Sequence, residues 1–187
     1  MEDHSAANAP ARIHVEGEPE DPVVARIFAT IRASGRQVRP SHRVLAAAPL
    51  ILEANYNYAM TLRHGTKVAR DLNELMILRT AQLEGGAYEF EAHRPMALGA
   101  GITEAQIAAL TEWRSTDLFD PRQKAVLAYA DALSERKEVP ADIFEELSRL
   151  LDPQEIVELT MICGFYIAIA RMSCGLGMEP APQAGPK

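Results

Sequence analysis

The chain has 187 residues, 48% of them hydrophobic and 24% charged, with only 6% aromatic and a formal charge of −7. That length suits one ordinary domain, and that composition suits a packed aliphatic core rather than a disordered polymer. The absence of any basic block argues against nucleic acid as a partner, and no apolar run approaches the roughly 20 residues of a membrane span.

The chain opens on "MEDHSAANAPARIHVEGEPEDP", which has neither a basic segment nor an apolar one suited to export. Residues 1–20 read as a flexible arm and 179–187, rich in proline, as a flexible tail. Between them, residues 21–178 read as a single all-α domain of about eight helices, because apolar residues recur at three and four positions and no period-two strand appears. The expected spans are 22–34, 41–62, 70–84, 87–99, 103–113, 121–136, 140–150 and 153–174. Asp21-Pro22, Asp120-Pro121 and Asp152-Pro153 each set an N-cap acid before a proline suited to the first helical position. Thr103 with Gln106 and Asp152 with Glu155 have capping-box spacing, while Gly101 and Gly175 are the expected C-terminal stops.

In the second helix, Tyr56 and Tyr58 point about 200° apart, so at most one faces a given pocket. Tyr56 is a candidate for a pocket wall or for packing, and His64 beside Gly65 reads as a helix end. The last helix is apolar almost all round, from Ile156 through Tyr166 to Met172. Such a helix needs cover on every side, which points to a homo-oligomer. It also carries the two cysteines, Cys163 and Cys174, about 16 Å apart along its axis and beyond disulfide reach. Reduced packing thiols fit a cytoplasmic protein.

The segment "QLEGGAYEFEAHRPMALGAG" concentrates the candidate chemistry. Glu89 and His93 are four apart on one helix, so their side chains meet on one face. Glu74 stands among apolar neighbours on the preceding helix. If the two helices fold back at Gly85-Gly86, Glu74 lies about 17 Å before the bend and His93 about 11 Å after it. Long side chains close that difference, and two carboxylates beside an imidazole in an apolar wall suit general acid–base work. Read from spacing alone, the same pair also fits a solvated helix face. Glu89 and His93 supply two metal ligands but no third, and no glycine-rich phosphate loop occurs, so neither metal nor cofactor is expected.

The stretch "LNELMILRTAQLEGGAYEFEAHRPMALGAGITEAQIAAL" resembles the core of the carboxymuconolactone decarboxylase family, which includes the AhpD-like alkylhydroperoxidases. The shared pattern is a Glu-Leu-hydrophobic-Ile-Leu-Arg helix, a small-residue bend, and a helix ending in His and a Gly-Ile-Thr turn; the likeness runs from about Pro40 to Pro180. The resemblance implies an AhpD-like helical fold in a homo-oligomer, trimeric or hexameric, with Glu74 and His93 in a proton relay. It also places the peroxidases' Cys-x-x-Cys on Gly86 and Glu89, so the dithiol of a thiol peroxidase is missing there. The resemblance then implies a cofactor-independent lyase or isomerase acting on a small carboxylated lactone or keto/enol acid. His93 would be the general acid and Glu74 and Glu89 its partners, with Arg79, Arg94, Tyr88 and Tyr56 as substrate-binding candidates. A non-catalytic oligomeric binding or scaffold protein is the second reading, and a thiol peroxidase the third.

Overall fold

The computed structural model describes residues 11–13, 15–135 and 138–178, and among them all regular structure is helical. The described residues gather into two compact units, one from residue 11 to Gly65 together with Ser173–Met178, the other from Thr66 to Met172.

The first unit contains α1 (Pro22–Ala33), α2 (Pro40–Leu45) and α3 (Pro49–His64). Asp21 caps α1, its Oδ1 accepting from the amides of Val23 at 2.8 Å and Val24 at 3.2 Å. Val24, Ile27, Phe28 and Ile31 form a buried stripe at helical spacing, and α1 packs on α3. The expected single helix over 41–62 is in fact two. Pro49 has no amide proton to give a preceding turn and bars its predecessor from the helical region, and Ala48 accordingly sits at φ −133°, ψ 82°. The second helix ends at His64, with Gly65 as its cap. Residues 15–18 carry no helix but are tied down: Arg43 donates to the carbonyls of Val15 and Gly17, and Arg32 pairs with Glu18 at 2.9 Å. Residues 1–10 and 179–187 lie outside the described residues.

The second unit is built on α4 (Arg70–Leu83), which packs against α5 (Ala87–Gly99) and α7 (Pro121–Glu135). Between α5 and α7 come α6 (Glu104–Ala108) and a 3-10 segment (Ala109–Ser115), where one continuous helix over 103–113 was expected. The change follows a backbone kink at Glu112 (φ −116°, ψ 24°). Thr103 and Gln106 do form the reciprocal capping box, with bonds of 3.1 and 2.9 Å. Two further helices follow, α8 (Ala141–Leu150) and α9 (Pro153–Leu176). Asp152 and Glu155 form the second predicted box at 3.1 and 2.9 Å. The helix runs through Gly175, and the left-handed residue that follows it is Gly177 at φ 65°.

Leu75 and Leu78 of α4 meet Ala97, Ile107, Leu110, Trp113 and Leu127 in the core of this unit. Every residue of α4 from Leu72 to Ala81 is buried, including Asn73, Glu74, Arg79 and Thr80. Polar groups this deep require partners, and those partners define the candidate site. One sequence expectation fails here: α9 is long and apolar enough, by length and composition, to cross a membrane. Within the second unit, however, Leu159, Ile162, Cys163, Tyr166 and Ala170 bury one side of it in protein.

Candidate active site

Glu74 has no solvent exposure, and its two oxygens are spoken for by different helical positions. Arg70, one turn earlier on α4, donates from Nη2 to Oε1. His93 of α5 places Nδ1 2.8 Å from Oε2. The imidazole is itself buried at 3% exposure and its other nitrogen, Nε2, lies 2.9 Å from the hydroxyl of Tyr166 on α9. The two rings meet edge to face, with centroids 4.9 Å apart. Four residues from three helices therefore form one chain, guanidinium to carboxylate to imidazole to phenol, with only Arg70 reaching solvent. A carboxylate, an imidazole and a phenol so linked are able to exchange protons along their hydrogen bonds, and the surrounding apolar wall strengthens each bond.

The bend between α4 and α5 brings the chain together. Gly85 takes φ 69°, a left-handed conformation that lets the backbone reverse within two residues. Gly86 is needed for a different reason, close approach: a Cβ there would stand 2.8 Å from Ala170 Cβ and 3.0 Å from Glu89 Oε2. Glu89 is thus buried, at 3% exposure, with one oxygen turned toward Gly86. A cavity of about 310 Å³ opens at the same bend, between Ala81, Gln82, Gly85, Gly86, Phe90 and Glu91. Its lining holds none of Glu74, His93 or Tyr166.

The other sequence candidates sit elsewhere. Arg79 is buried and engaged by protein, with Nε 2.5 Å from Asp131 and Nη1 donating to Gln82 at 2.5 Å and the Leu110 carbonyl at 3.0 Å. Arg94, next to His93 but turned away on the helix, pairs with Glu104 at 2.6 Å. Tyr88 is buried on α5. Tyr56 belongs to the first unit, where its hydroxyl accepts from Arg36 at 3.2 Å. Sequence reading passed over Arg70 and Tyr166. The first carried a usable signal, Arg and Glu four apart; the second was one phenol in an apolar helix, and a buried phenol needs a polar partner.

Cys163 does not resemble a reactive thiol. Cys163 is fully buried, accepts from the Thr80 hydroxyl at 3.4 Å, and its thiol is pushed up by burial; Cys174 is exposed in the first unit. Among the described residues no group of three or more His, Cys, Asp or Glu side chains is placed to hold a metal ion.

Residues 49–132, which include Arg70, Glu74 and His93, match the model of the Carboxymuconolactone decarboxylase family. An uncharacterized protein of Bacillus subtilis, YdfG, is 27% identical over 118 residues, covering 62% of this chain and 80% of that protein. Among solved structures, an uncharacterized peroxidase-related protein from Ralstonia eutropha JMP134 with an alkylhydroperoxidase AhpD core superposes at a TM-score of 0.83, with 19% identity over 95% of each chain. The debrominase Bmp8, solved in its apo form and, as a cysteine-to-alanine variant, in complex with 2,3,4-tribromopyrrole, superposes at 0.78, with 14% identity over 90% of this chain and 91% of its own. At these identities the structures establish a common AhpD-like fold.

Proposed function

We propose that this chain, which matches the Carboxymuconolactone decarboxylase family over residues 49–132, is a cofactor-independent lyase or isomerase working by general acid–base proton transfer. The observation that carries this reading is the unbroken buried chain Glu74–His93–Tyr166, with bonds of 2.8 and 2.9 Å. Its substrate class is a small lactone or keto/enol acid. Loss of carbon dioxide from such a molecule, or removal of a proton beside its carbonyl, leaves an enolate-like anion that must be stabilised and then protonated. Tyr166 and His93 deliver or take that proton. Arg70, bonded to Glu74 and one-third exposed, supplies positive charge to the chain. The names of the solved relatives suggest a thiol peroxidase, but Gly86 and Glu89 hold the positions its two cysteines would need, and the buried Cys163 is a poor thiolate.

The protein works as a homo-oligomer joined through the open face of α9, where the apolar Val157 and Met161 are exposed.

The test is a panel of lactones and keto acids incubated with the protein in deuterium oxide, read by exchange at the carbon beside the carbonyl and by carbon dioxide release. Turnover by the wild type that falls about 10²–10⁴-fold in both His93→Ala and Tyr166→Phe is the expected result. Ligands that raise the melting temperature without being turned over, and equally in both variants, would give the protein a binding role instead.

A further inference from the structure

We infer that the cavity at the α4–α5 bend is a binding site for a small uncharged ring carrying a carbonyl group, and that Gln82 is the residue that recognises that carbonyl. The inference concerns what the cavity admits. It does not rest on the acid–base reading of Glu74, His93 and Tyr166, none of which is in the cavity wall. At about 310 Å³ the cavity is of ligand size. An apolar void of about 150 Å³ takes one benzene, so there is room here for a fused bicycle or a substituted ring. Ala81, Gly85, Gly86, Ala87 and Phe90 make most of the wall apolar, the small residues leaving the space and Phe90 supplying an aromatic ring.

The Gln82 amide is the polar group of this wall whose orientation its partners dictate. Arginine only donates, so the Gln82 atom that Arg79 Nη1 meets at 2.5 Å is the carbonyl oxygen. The other end, Nε2, then donates to Thr111 Oγ1 at 2.9 Å. An amide nitrogen carries two protons and this bond uses one. The second is the donor that the wall offers to a ligand acceptor. Arg79 is itself anchored, at 8% side-chain exposure, on Asp131 and the Leu110 carbonyl. Gln82 is thus held at both ends before any ligand arrives, and a donor fixed in advance loses little freedom on binding. Arg79 is a positioning residue that acts through Gln82.

One donor suits one carbonyl oxygen. A carboxylate asks for more, because its charge has to leave water and pairing it takes a cation or several donors. Arg79 is committed to Asp131, Arg171 pairs with Glu84 at 3.0 Å beside the bend, and Arg94 pairs with Glu104 at 2.6 Å. The wall contributes an acid of its own, Glu91, and Glu89 adds another in the first turn of α5. The site therefore prefers an uncharged lactone or cyclic ketone to the corresponding acid.

The experiment titrates the full chain with three probes and follows the side-chain amides by proton–nitrogen correlation NMR. The probes are phthalide, phthalan, which is the same bicycle without the carbonyl, and phthalide-5-carboxylate. The Gln82 signals are assigned by their loss in Gln82→Glu, which keeps an acceptor for Arg79 but has no N–H to give. Phthalide should bind the wild type and move the Gln82 Nε2 signals, with phthalan and the carboxylate each binding about ten-fold or more weakly. In Gln82→Glu, phthalide should fall to the affinity of phthalan. Ala87→Leu, which fills the cavity from its wall, should weaken phthalide and phthalan together. Phthalide that fails to bind, or that binds no better than phthalan or the carboxylate, overturns the inference on the wild type alone, even if Gln82→Glu does not fold. Binding that leaves the Gln82 signals in place, or that Gln82→Glu weakens equally for phthalide and phthalan, overturns it as well. Because nothing is turned over in this measurement, its failure is separate from failure of the turnover panel.

Discussion

Asp131 shows at the scale of single residues why buried polar groups in this chain were hard to sort from sequence. Its carboxylate accepts from Arg79 Nε at 2.5 Å and from the indole of Trp113 at 3.2 Å, and it also pairs with Arg114 at 2.5 Å. Arg114 in turn lies over the Trp113 ring, 4.3 Å from its centroid. Removing the acceptor would leave buried Arg79 without its counter-charge, so Asp131→Ala should destabilise the protein by about 3–5 kcal/mol. Urea unfolding followed by the fluorescence of Trp113, the single tryptophan, measures the loss directly. An arginine inside an apolar run suits either a substrate anchor or a buried pair, and the partner that separates those readings is 52 residues away. Tyr166 hides for the same reason, 73 residues from His93. Glu74 and His93 were legible because the bend that joins them is local and marked by two glycines.

At the scale of elements, caps were legible and breaks less so. The Asp-Pro and Thr-x-x-Gln signals act within one turn, and each is found where the sequence put it. The end of α2 was missed because three alanines before Pro49 favour a helix by propensity, and the proline's effect on its predecessor prevails. The start of that helix carries a pH dependence. His42 Nδ1 accepts the Arg39 amide at 3.0 Å, and burial, with smaller contributions from Arg39, Arg36 and Arg63, pushes its pKa down to about 4. The fold therefore favours the neutral ring. Stability from this group is fully present above about pH 6.5, its ordinary value, and is lost as pH falls toward 4. The loss is bounded by about 3 kcal/mol and is smaller to the extent that water screens a ring that is only part-buried. Hydrogen exchange at the α2 amides should quicken across that window, and His42→Gln should flatten the dependence.

At the scale of the whole molecule, the all-round apolarity of the last helix was read from sequence as a surface waiting for a second copy. Val157 is 61% and Met161 49% exposed, one turn apart on α9, while Leu159, Ile162, Cys163 and Tyr166 are buried. Covering large apolar side chains of this kind contributes roughly 1.5–3 kcal/mol each. Sedimentation velocity should give a mass several times the 20.5 kDa of the chain, and Val157→Glu with Met161→Glu should return it to one copy. A wild type sedimenting at 20.5 kDa would remove the oligomer from the proposed function. What sequence could not supply at this scale was the division of the described residues into two compact units, because contacts between distant segments set it and no linker composition marks it.

The contact between Gly86 and Ala170 constrains more than the local turn. Gly86→Ala should cost about 1–3 kcal/mol, since its Cβ would fall 2.8 Å from another Cβ on a helix that cannot swing aside cheaply. Pairing it with Ala170→Gly should recover part of that loss in a double-mutant cycle, because the Ala170 Cα stands back at 3.4 Å while Glu89 Oε2 remains at 3.0 Å. Position 86 is also where the family likeness would put the first cysteine of a redox pair. Installing a thiol at that position therefore requires the wall opposite to be cut back first, by a change that has no redox value of its own.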